Sequence, residues 1–169
     1  GNSKTFSKKN LLQISKSLKK EQKIYNLNLC GGDTTFSNKL SFTITSLGYS
    51  KKIVYRNMAK LNDDIYVTGN IGDSYIGLQI LKNKITVNKK ISNFFIKKYY
   101  HPELQIKLTN HLLKFANTSI DISDGLIGDL EKMVNRQNFS FLINENKIPI
   151  SLELKKLISK KKLKKINTV

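Results

Sequence analysis

The segment at residues 119–136 constrains the fold most, because its sequence predicts a strand, a turn and a helix in succession. Residues 119–123 (SIDIS) predict a strand that carries Asp121 near its end. Asp124 and Gly125 are a typical turn pair. Apolar side chains then recur at helical spacing through residues 126–136, which predicts a helix with one apolar face. Such a strand–turn–helix unit is typical of a domain that mixes sheet and helix.

The rest of the chain continues this mixture. Four further segments predict strands, at residues 27–30, 40–48, 65–69 and 139–143. Four more segments predict helices, at residues 7–26, 72–81, 102–115 and 152–158, with a polar loop at 82–90. The fold class predicted is therefore α+β (mixed α/β).

Composition sets the broad class of protein. The chain has 169 residues and is 39% hydrophobic, which is enough to bury a core. We expect no transmembrane helix and no membrane partner, because no window approaches 18 consecutive apolar residues. The single cysteine, Cys30, excludes an internal disulfide and fits a reducing, cytoplasmic compartment. We expect Cys30 to be a small buried residue that closes a strand.

The formal net charge of +18 raises the possibility of a nucleic-acid partner. Among 30 basic residues, however, only Arg56 and Arg136 are arginine, and arginine is the usual reader of bases and phosphates. The lysine-rich tail at 155–165 is typical of a solvated helix end. We therefore expect no nucleic-acid partner, and a non-enzymatic basic nucleic-acid-binding module stays as an alternative.

Two short segments place carboxylates beside glycines and hydroxyls, namely 31–35 (GGDTT) and 121–126 (DISDGL). Carboxylates on such turns are hard oxygen ligands, which suit Mg²⁺ carried in with a phosphorylated substrate. The candidate ligands are Asp33, Asp121 and Asp124. Glycine lets backbone approach a phosphate closely, and the fork of Arg56 could clamp one.

Each of these residues also has a purely structural interpretation. Asp124 with Gly125 could be only a turn, Asp33 only a cap, and Arg56 only a surface residue. Asp73 could likewise do no more than cap the helix that follows it. No P-loop, dinucleotide fingerprint or protein-kinase signature is found in the chain. The residues alone predict a magnesium–phosphate site and do not specify its reaction.

Five ordered blocks resemble the thiamine-monophosphate kinase family, within the superfamily of aminoimidazole-ribotide-synthetase-like ATP enzymes. They are GGDTT at 31–35, TITSLG at 43–48, RNMAKLNDDIYVTG at 56–69, GDSYIGL at 72–78 and DISDGL at 121–126. Two departures are evident: Leu61-Asn62 stands where the family has Pro-Gly, and residues 99–105 lack the arginines of the family's YxRPxPR pattern.

The resemblance implies an enzyme that transfers the ATP γ-phosphoryl group to thiamine monophosphate, giving thiamine diphosphate and ADP. It implies Mg²⁺ as cofactor and ATP as co-substrate. It also implies that Asp33, Asp121 and Asp124 are metal ligands. Gly32, Asp33, Arg56 and Ser123 would contact ATP, and no separate catalytic residue is implied beyond the metal site.

The resemblance further implies a partial two-domain fold and a homodimer. Residues 1–50 would end an N-terminal ATP- and Mg-binding domain, and 51–169 would form most of a C-terminal α+β domain. The family's early and late acidic segments have no counterpart here, so we expect a fragment that is weakly active or inactive by itself. Another ATP-dependent enzyme of the superfamily, of cyclo-ligase or hydrogenase-maturation type, is the enzymatic alternative.

Overall fold

The computed structural model describes residues 7–35 and 37–161, with side chains as far as residue 159. The chain divides into two compact units, Gly1–Leu47 and Gly48–Val169. The identity of these units as parts of two particular domains stays a prediction.

The first unit is built on one helix, α1, at Lys8–Tyr25, which confirms the helix predicted at 7–26. Ser7 caps its first turn by accepting a hydrogen bond from the Asn10 N–H at 3.3 Å. Asn26 ends the helix in the left-handed region, at φ 51°. No described residue of α1 is buried, and the described residues that follow it to Leu47 are irregular and exposed.

The second unit contains five α-helices and two 3₁₀ turns among its described residues. The helices are α2 (Asp73–Leu81), α3 (Lys89–Tyr100), α4 (Thr109–Phe115), α5 (Leu126–Val134) and α6 (Leu152–Lys161). The 3₁₀ turns lie at Ile106–Leu108 and Glu145–Lys147. The helices predicted at 72–81, 126–136 and 152–158 correspond to α2, α5 and α6 and are confirmed.

Two apolar clusters hold the second unit together. The first joins α5 to the chain before α2, through Ile71, Leu126, Leu130 and Ile148. The second joins α2, α3 and α6, through Ile76, Phe95, Leu154 and Leu157. Burial of such side chains contributes roughly 1.5–3 kcal/mol each. The first cluster therefore fixes the start of α5, which follows the candidate site.

The predicted strands are not observed. No residue that the structure describes is assigned to a strand, so the segments 27–30, 40–48, 65–69, 119–123 and 139–143 are irregular. Alternating side chains indicate which face of a strand is apolar, but a ladder also needs a partner strand to take its hydrogen bonds. In 40–48 the apolar side chains are exposed: Phe42 by 62% and Ile44 by 79%. The secondary structure therefore does not confirm the α+β class.

Three further details of the prediction were wrong. Residues 89–100 form helix α3, where Asn88 accepts a hydrogen bond from the Ile91 N–H at 3.0 Å. The helix predicted at 102–115 does not start at Pro102, and only its second half is an α-helix, α4 at Thr109–Phe115. Proline disfavours helical backbone in the residue before it, which helps to end α3. Cys30 is exposed, since its segment forms no buried strand. None of the described helices combines the length and apolar character needed to cross a membrane.

Candidate magnesium and phosphate site

The buried side chain of Asp129, on helix α5, stabilises the turn at residues 121–125 through hydrogen bonds. The Asp129 side chain is only 2% exposed. Its Oδ2 accepts hydrogen bonds from the backbone N–H of Ser123 at 2.8 Å and of Asp124 at 2.9 Å. Gly125 adopts φ 117°, a conformation that L side chains rarely take, so glycine is required there. Together these features fix the backbone that presents Ser123 and Asp124.

Lys132 completes the surroundings of Asp129. Its Nζ lies 2.9 Å from Asp129 Oδ1 and also pairs with Asp124 Oδ2. Burial alone raises the pKa of Asp129, but the hydrogen bonds from Lys132, Asp124 and Ser123 outweigh it and lower that pKa to about 2. The hydrogen bonds to Asp124 and Asp129 raise the pKa of Lys132. Asp129 is therefore ionised, and Lys132 links the two carboxylates.

Asp121 and Asp124 are both exposed, as is Ser123 between them. Asp121 therefore needs no buried partner, contrary to what a buried strand would have required. Asp124 is also more than a turn residue, because its carboxylate is ion-paired with Lys132. Both carboxylates are open to solvent and so to a bound cation.

Arg56 is placed by its neighbour Asn57. The Asn57 N–H donates to the Met133 carbonyl at 2.7 Å, and Asn57 Oδ1 accepts from the Arg136 N–H at 2.8 Å. Asn57 can do both because it takes a left-handed φ of 60°, which asparagine tolerates better than most residues. The segment that carries Arg56 is thereby fastened to the C-terminal end of α5.

Arg56 and Asp121 line the same groove, of about 630 Å³. Thr109, Leu112 and Leu113 from α4 form part of its wall. The Lys52 ammonium donates a hydrogen bond to the Leu113 carbonyl at 3.0 Å, which attaches the segment just before Arg56 to α4. The structure thus brings together one candidate phosphate-binding cation and one candidate metal ligand. A smaller pocket of about 250 Å³ continues from Arg56 to Arg136.

The other candidates, Gly32 and Asp33, lie in the first unit. Asp33 is exposed, and its Oδ1 accepts a hydrogen bond from the Thr34 N–H at 2.7 Å. This is a local contact between neighbouring residues. No described atom lies within 4 Å of a Cβ built on Gly32, so packing does not require glycine there. The roles of Gly32 and Asp33 stay predictions.

The donor set partly fits a magnesium ion. Among the described residues there is no group of three or more His, Cys, Asp or Glu side chains that could hold a metal. Mg²⁺, however, is usually bound by one or two carboxylates together with waters and substrate phosphates. Asp121 and Asp124, both exposed near one turn, offer carboxylates of that number and chemistry. The site therefore fits a metal whose remaining ligands are waters or phosphate oxygens.

Sequence reasoning missed Asp129, Lys132 and Asn57. Asp129 could have been noticed as an acidic residue in the first turn of a helix that begins just after the candidate site. Asn57 carried no local signal, because its two partners lie far along the chain in Met133 and Arg136. The expected turn at Asn62 is present, with φ 67°, so asparagine serves where the family has Pro-Gly.

Comparison with known proteins identifies relatives for most of the chain, although no family model matches it. A thiamine-monophosphate kinase from Buchnera aphidicola of Acyrthosiphon pisum is 42% identical over 144 residues, which are 83% of this chain and 44% of the relative. The Leptospira interrogans enzyme of the same name is 34% identical over 142 residues, covering 83% of this chain and 46% of that protein. The chain thus spans less than half the length of these curated relatives.

Solved structures agree with these relatives. A crystal structure of thiamine monophosphate kinase from Aquifex aeolicus matches with a TM-score of 0.84 at 26% identity, over 98% of this chain and 56% of that one. A second structure, AaThiL complexed with AMPPCP and TMP, matches with a TM-score of 0.62 at 33% identity, over 68% of this chain and 37% of that one.

These relatives and solved structures are thiamine-monophosphate kinases, which belong to the class of small-molecule kinases. Within that class, the chain is homologous to the thiamine-monophosphate kinases over the matched residues, which confirms the resemblance predicted from its sequence. Its fold is shared with the solved structures of these kinases.

Proposed function

We propose that this chain carries part of the ATP- and magnesium-binding apparatus of an enzyme that phosphorylates thiamine monophosphate. ATP would be the phosphoryl donor, and thiamine diphosphate and ADP would be the products. The observation that carries the proposal is the turn at 121–125, whose two exposed carboxylates stand on a backbone fixed by buried Asp129. The relatives and the AMPPCP and TMP complex of AaThiL support the choice of substrates.

Phosphoryl transfer to a phosphate ester needs two polyanions brought together more than it needs a strong base. Asp33, Asp121 and Asp124 would hold Mg²⁺, which would neutralise the phosphate oxygens. Arg56 would orient a phosphate from the groove that it shares with Asp121. Ser123 and Gly32 would contact ATP through a hydroxyl donor and an open backbone. No further catalytic residue is proposed.

We also propose that the α+β fold, the homodimer and the cytoplasmic location implied by the resemblance apply to this protein. The alternating apolar side chains of 40–48, exposed at Leu40, Phe42 and Ile44, support a strand that pairs outside the described residues. Residues 1–50 and 51–169 would then be parts of two domains. The lone cysteine supports a reducing compartment.

A chimera tests the proposed reaction. The matched residues of the Buchnera aphidicola kinase are replaced by those of this chain, and Mg²⁺-dependent ADP release is measured with thiamine monophosphate as acceptor. We expect turnover by the chimera, and at least ~100-fold less by the 169-residue chain alone, because charge neutralisation at the transferred phosphate would be incomplete.

Two results would contradict this proposal. One is ADP release only with the acceptor of a cyclo-ligase or hydrogenase-maturation enzyme, which would assign the chain elsewhere in the superfamily. The other is ordinary turnover by the 169-residue chain alone, which would show that its own residues complete the site.

A further inference from the structure

Asp129 has an environment that capping α5 does not explain. It is among the largest fully buried side chains of the described residues, and one of its oxygens accepts two backbone N–H groups outside the helix. Its other oxygen faces the Lys132 ammonium at 2.9 Å. A buried carboxylate is stable only when its oxygens are satisfied in this way. Both N–H donors, from Ser123 and Asp124, belong to the loop before α5 and not to the helix itself.

Lys132 is shared between a buried carboxylate and an exposed one. The Asp129 side chain is 2% exposed, whereas that of Asp124 is 72% exposed. The ammonium therefore contacts one buried carboxylate and one exposed carboxylate. The pair with Asp129 keeps Lys132 in position, and the pair with Asp124 is the weaker one, since solvent screens it.

We propose that Asp129 and Lys132 are positioning residues of the metal site. Asp129 fixes the Ser123 and Asp124 backbone, and Lys132 neutralises the Asp124 carboxylate until a divalent cation takes that carboxylate. This inference rests on the proposed function in one respect, namely that Asp124 is a metal ligand.

The two residues have opposite effects on cation binding. Replacing Asp129 loosens the turn, so Asp124 is presented less often and binding weakens. Replacing Lys132 with an uncharged residue removes a competing cation from Asp124, so binding becomes tighter. A merely structural pair would behave differently, because loss of either partner would loosen the turn and weaken binding in both variants.

Amide hydrogen exchange of the 169-residue chain, followed by NMR, tests the role of Asp129. In the Asp129→Asn variant the acceptor is uncharged and its NH₂ group faces Lys132. We expect exchange at Ser123 and Asp124 to accelerate on the order of tenfold. Glu131→Gln, on the exposed side of the same helix, is the matched control and should leave both amides unchanged. Unchanged protection in Asp129→Asn would overturn the role of Asp129.

Line broadening by added Mn²⁺ alone tests the role of Lys132 and needs no nucleotide. We expect the Asp124 amide of Lys132→Met to broaden at about threefold lower Mn²⁺ than in the unmodified chain, the effect of removing one solvent-screened ion pair. Lys114→Met, on α4 and exposed, should not shift the midpoint. An unchanged or raised midpoint in Lys132→Met would overturn the role of Lys132.

Failure of the inference can be distinguished from failure of the proposed function. Absence of Mn²⁺ broadening at Asp124 in the unmodified chain would remove Asp124 as a ligand and the Lys132 part of the inference with it. The exchange measurement would still decide the role of Asp129. Normal broadening with an unshifted midpoint in Lys132→Met would leave the proposed function intact and reject the Lys132 role alone.

Discussion

Two buried carboxylates of the second unit, Asp129 and Asp73, have opposite electrostatic surroundings. Asp129 receives two N–H groups and an ammonium, which stabilise its charged form. Asp73 receives the Ser151 hydroxyl at 2.6 Å, and burial raises its pKa despite that bond. Ser151 in turn accepts the Leu154 N–H at 3.0 Å, so Asp73 connects α2 to the start of α6. It does not cap α2, since Gly72 holds that position.

The pKa of Asp129 predicts a loss of stability in acid. Its pKa is about 2 in the folded chain and 3.8 in an unperturbed carboxyl, so its contribution is present above about pH 4 and lost as the pH falls toward 2. Asp129→Asn should therefore be destabilised at neutral pH, by a margin that shrinks across that range. Denaturant unfolding at several pH values measures this. A constant margin from neutral pH to pH 2 would contradict it.

The raised pKa of Asp73 predicts the opposite effect of pH on stability. Because its folded pKa is raised, ionisation in the folded state costs stability as the pH rises above 3.8, the value of an unperturbed carboxyl. An asparagine oxygen can still accept from Ser151 without carrying a charge. Asp73→Asn should therefore gain stability relative to the unmodified chain as the pH rises, with exposed Asp64→Asn as control. Denaturant midpoints of Asp73→Asn that fall further below those of the unmodified chain as the pH rises would refute this.

At the scale of elements, the packing of α2 on α3 depends on Gly77. A Cβ built on Gly77 would lie 2.3 Å from the Phe95 carbonyl oxygen and 2.9 Å from Tyr99 Cβ, closer than real Cβ atoms come. Gly77→Ala must therefore separate the helices or shift the backbone, at a cost of roughly 1–3 kcal/mol.

Gly128 provides a matched control for this substitution, since it lies within α5 and a Cβ built there meets no described atom within 4 Å. Gly128→Ala should be neutral or stabilising by up to about 1 kcal/mol, from helix propensity. Thermal unfolding of the two variants compares them directly. Equal midpoints would mean that α2 and α3 are not in close contact.

The helices show what local sequence can predict. Helices α1, α2, α5 and α6 follow from the spacing of their apolar residues, a signal that acts over a few positions. Helix α3 was missed because lysine pairs interrupt its apolar pattern, although Ile91, Phe94 and Phe95 lie on one face and pack into a cluster. The strands were not observed because pairing depends on a distant segment rather than on the strand's own residues.

Some residues of the candidate site could likewise be predicted from local sequence, and others could not. Asp121, Ser123 and Asp124 could be predicted because they are adjacent in one motif. Their supports could not, since Asn57 reaches α5 across 79 positions to Arg136. The groove shared by Arg56 and Asp121 also results from tertiary packing. Side chains that contact substrate are thus visible in a motif, whereas those that position them emerge only from the fold.

At the scale of the whole molecule, we propose that the two acid-bearing segments, 31–35 and 121–126, bind one nucleotide. The chain spans 44% of its Buchnera aphidicola relative, so the test belongs in the chimera that supplies the remaining residues. The variants are Asp33→Asn and Asp124→Asn, one in each unit. Glu131→Gln is the control, because Glu131 is exposed on α5.

The most direct measurement is calorimetric binding of AMPPCP to the chimera, with and without Mg²⁺. We predict Mg²⁺-dependent binding in the chimera and in Glu131→Gln. We predict its loss in both Asp33→Asn and Asp124→Asn, because each removes a carboxylate that we propose as a ligand of the metal beside the phosphates. Intact Mg²⁺-dependent binding in both aspartate variants would contradict the proposed metal site.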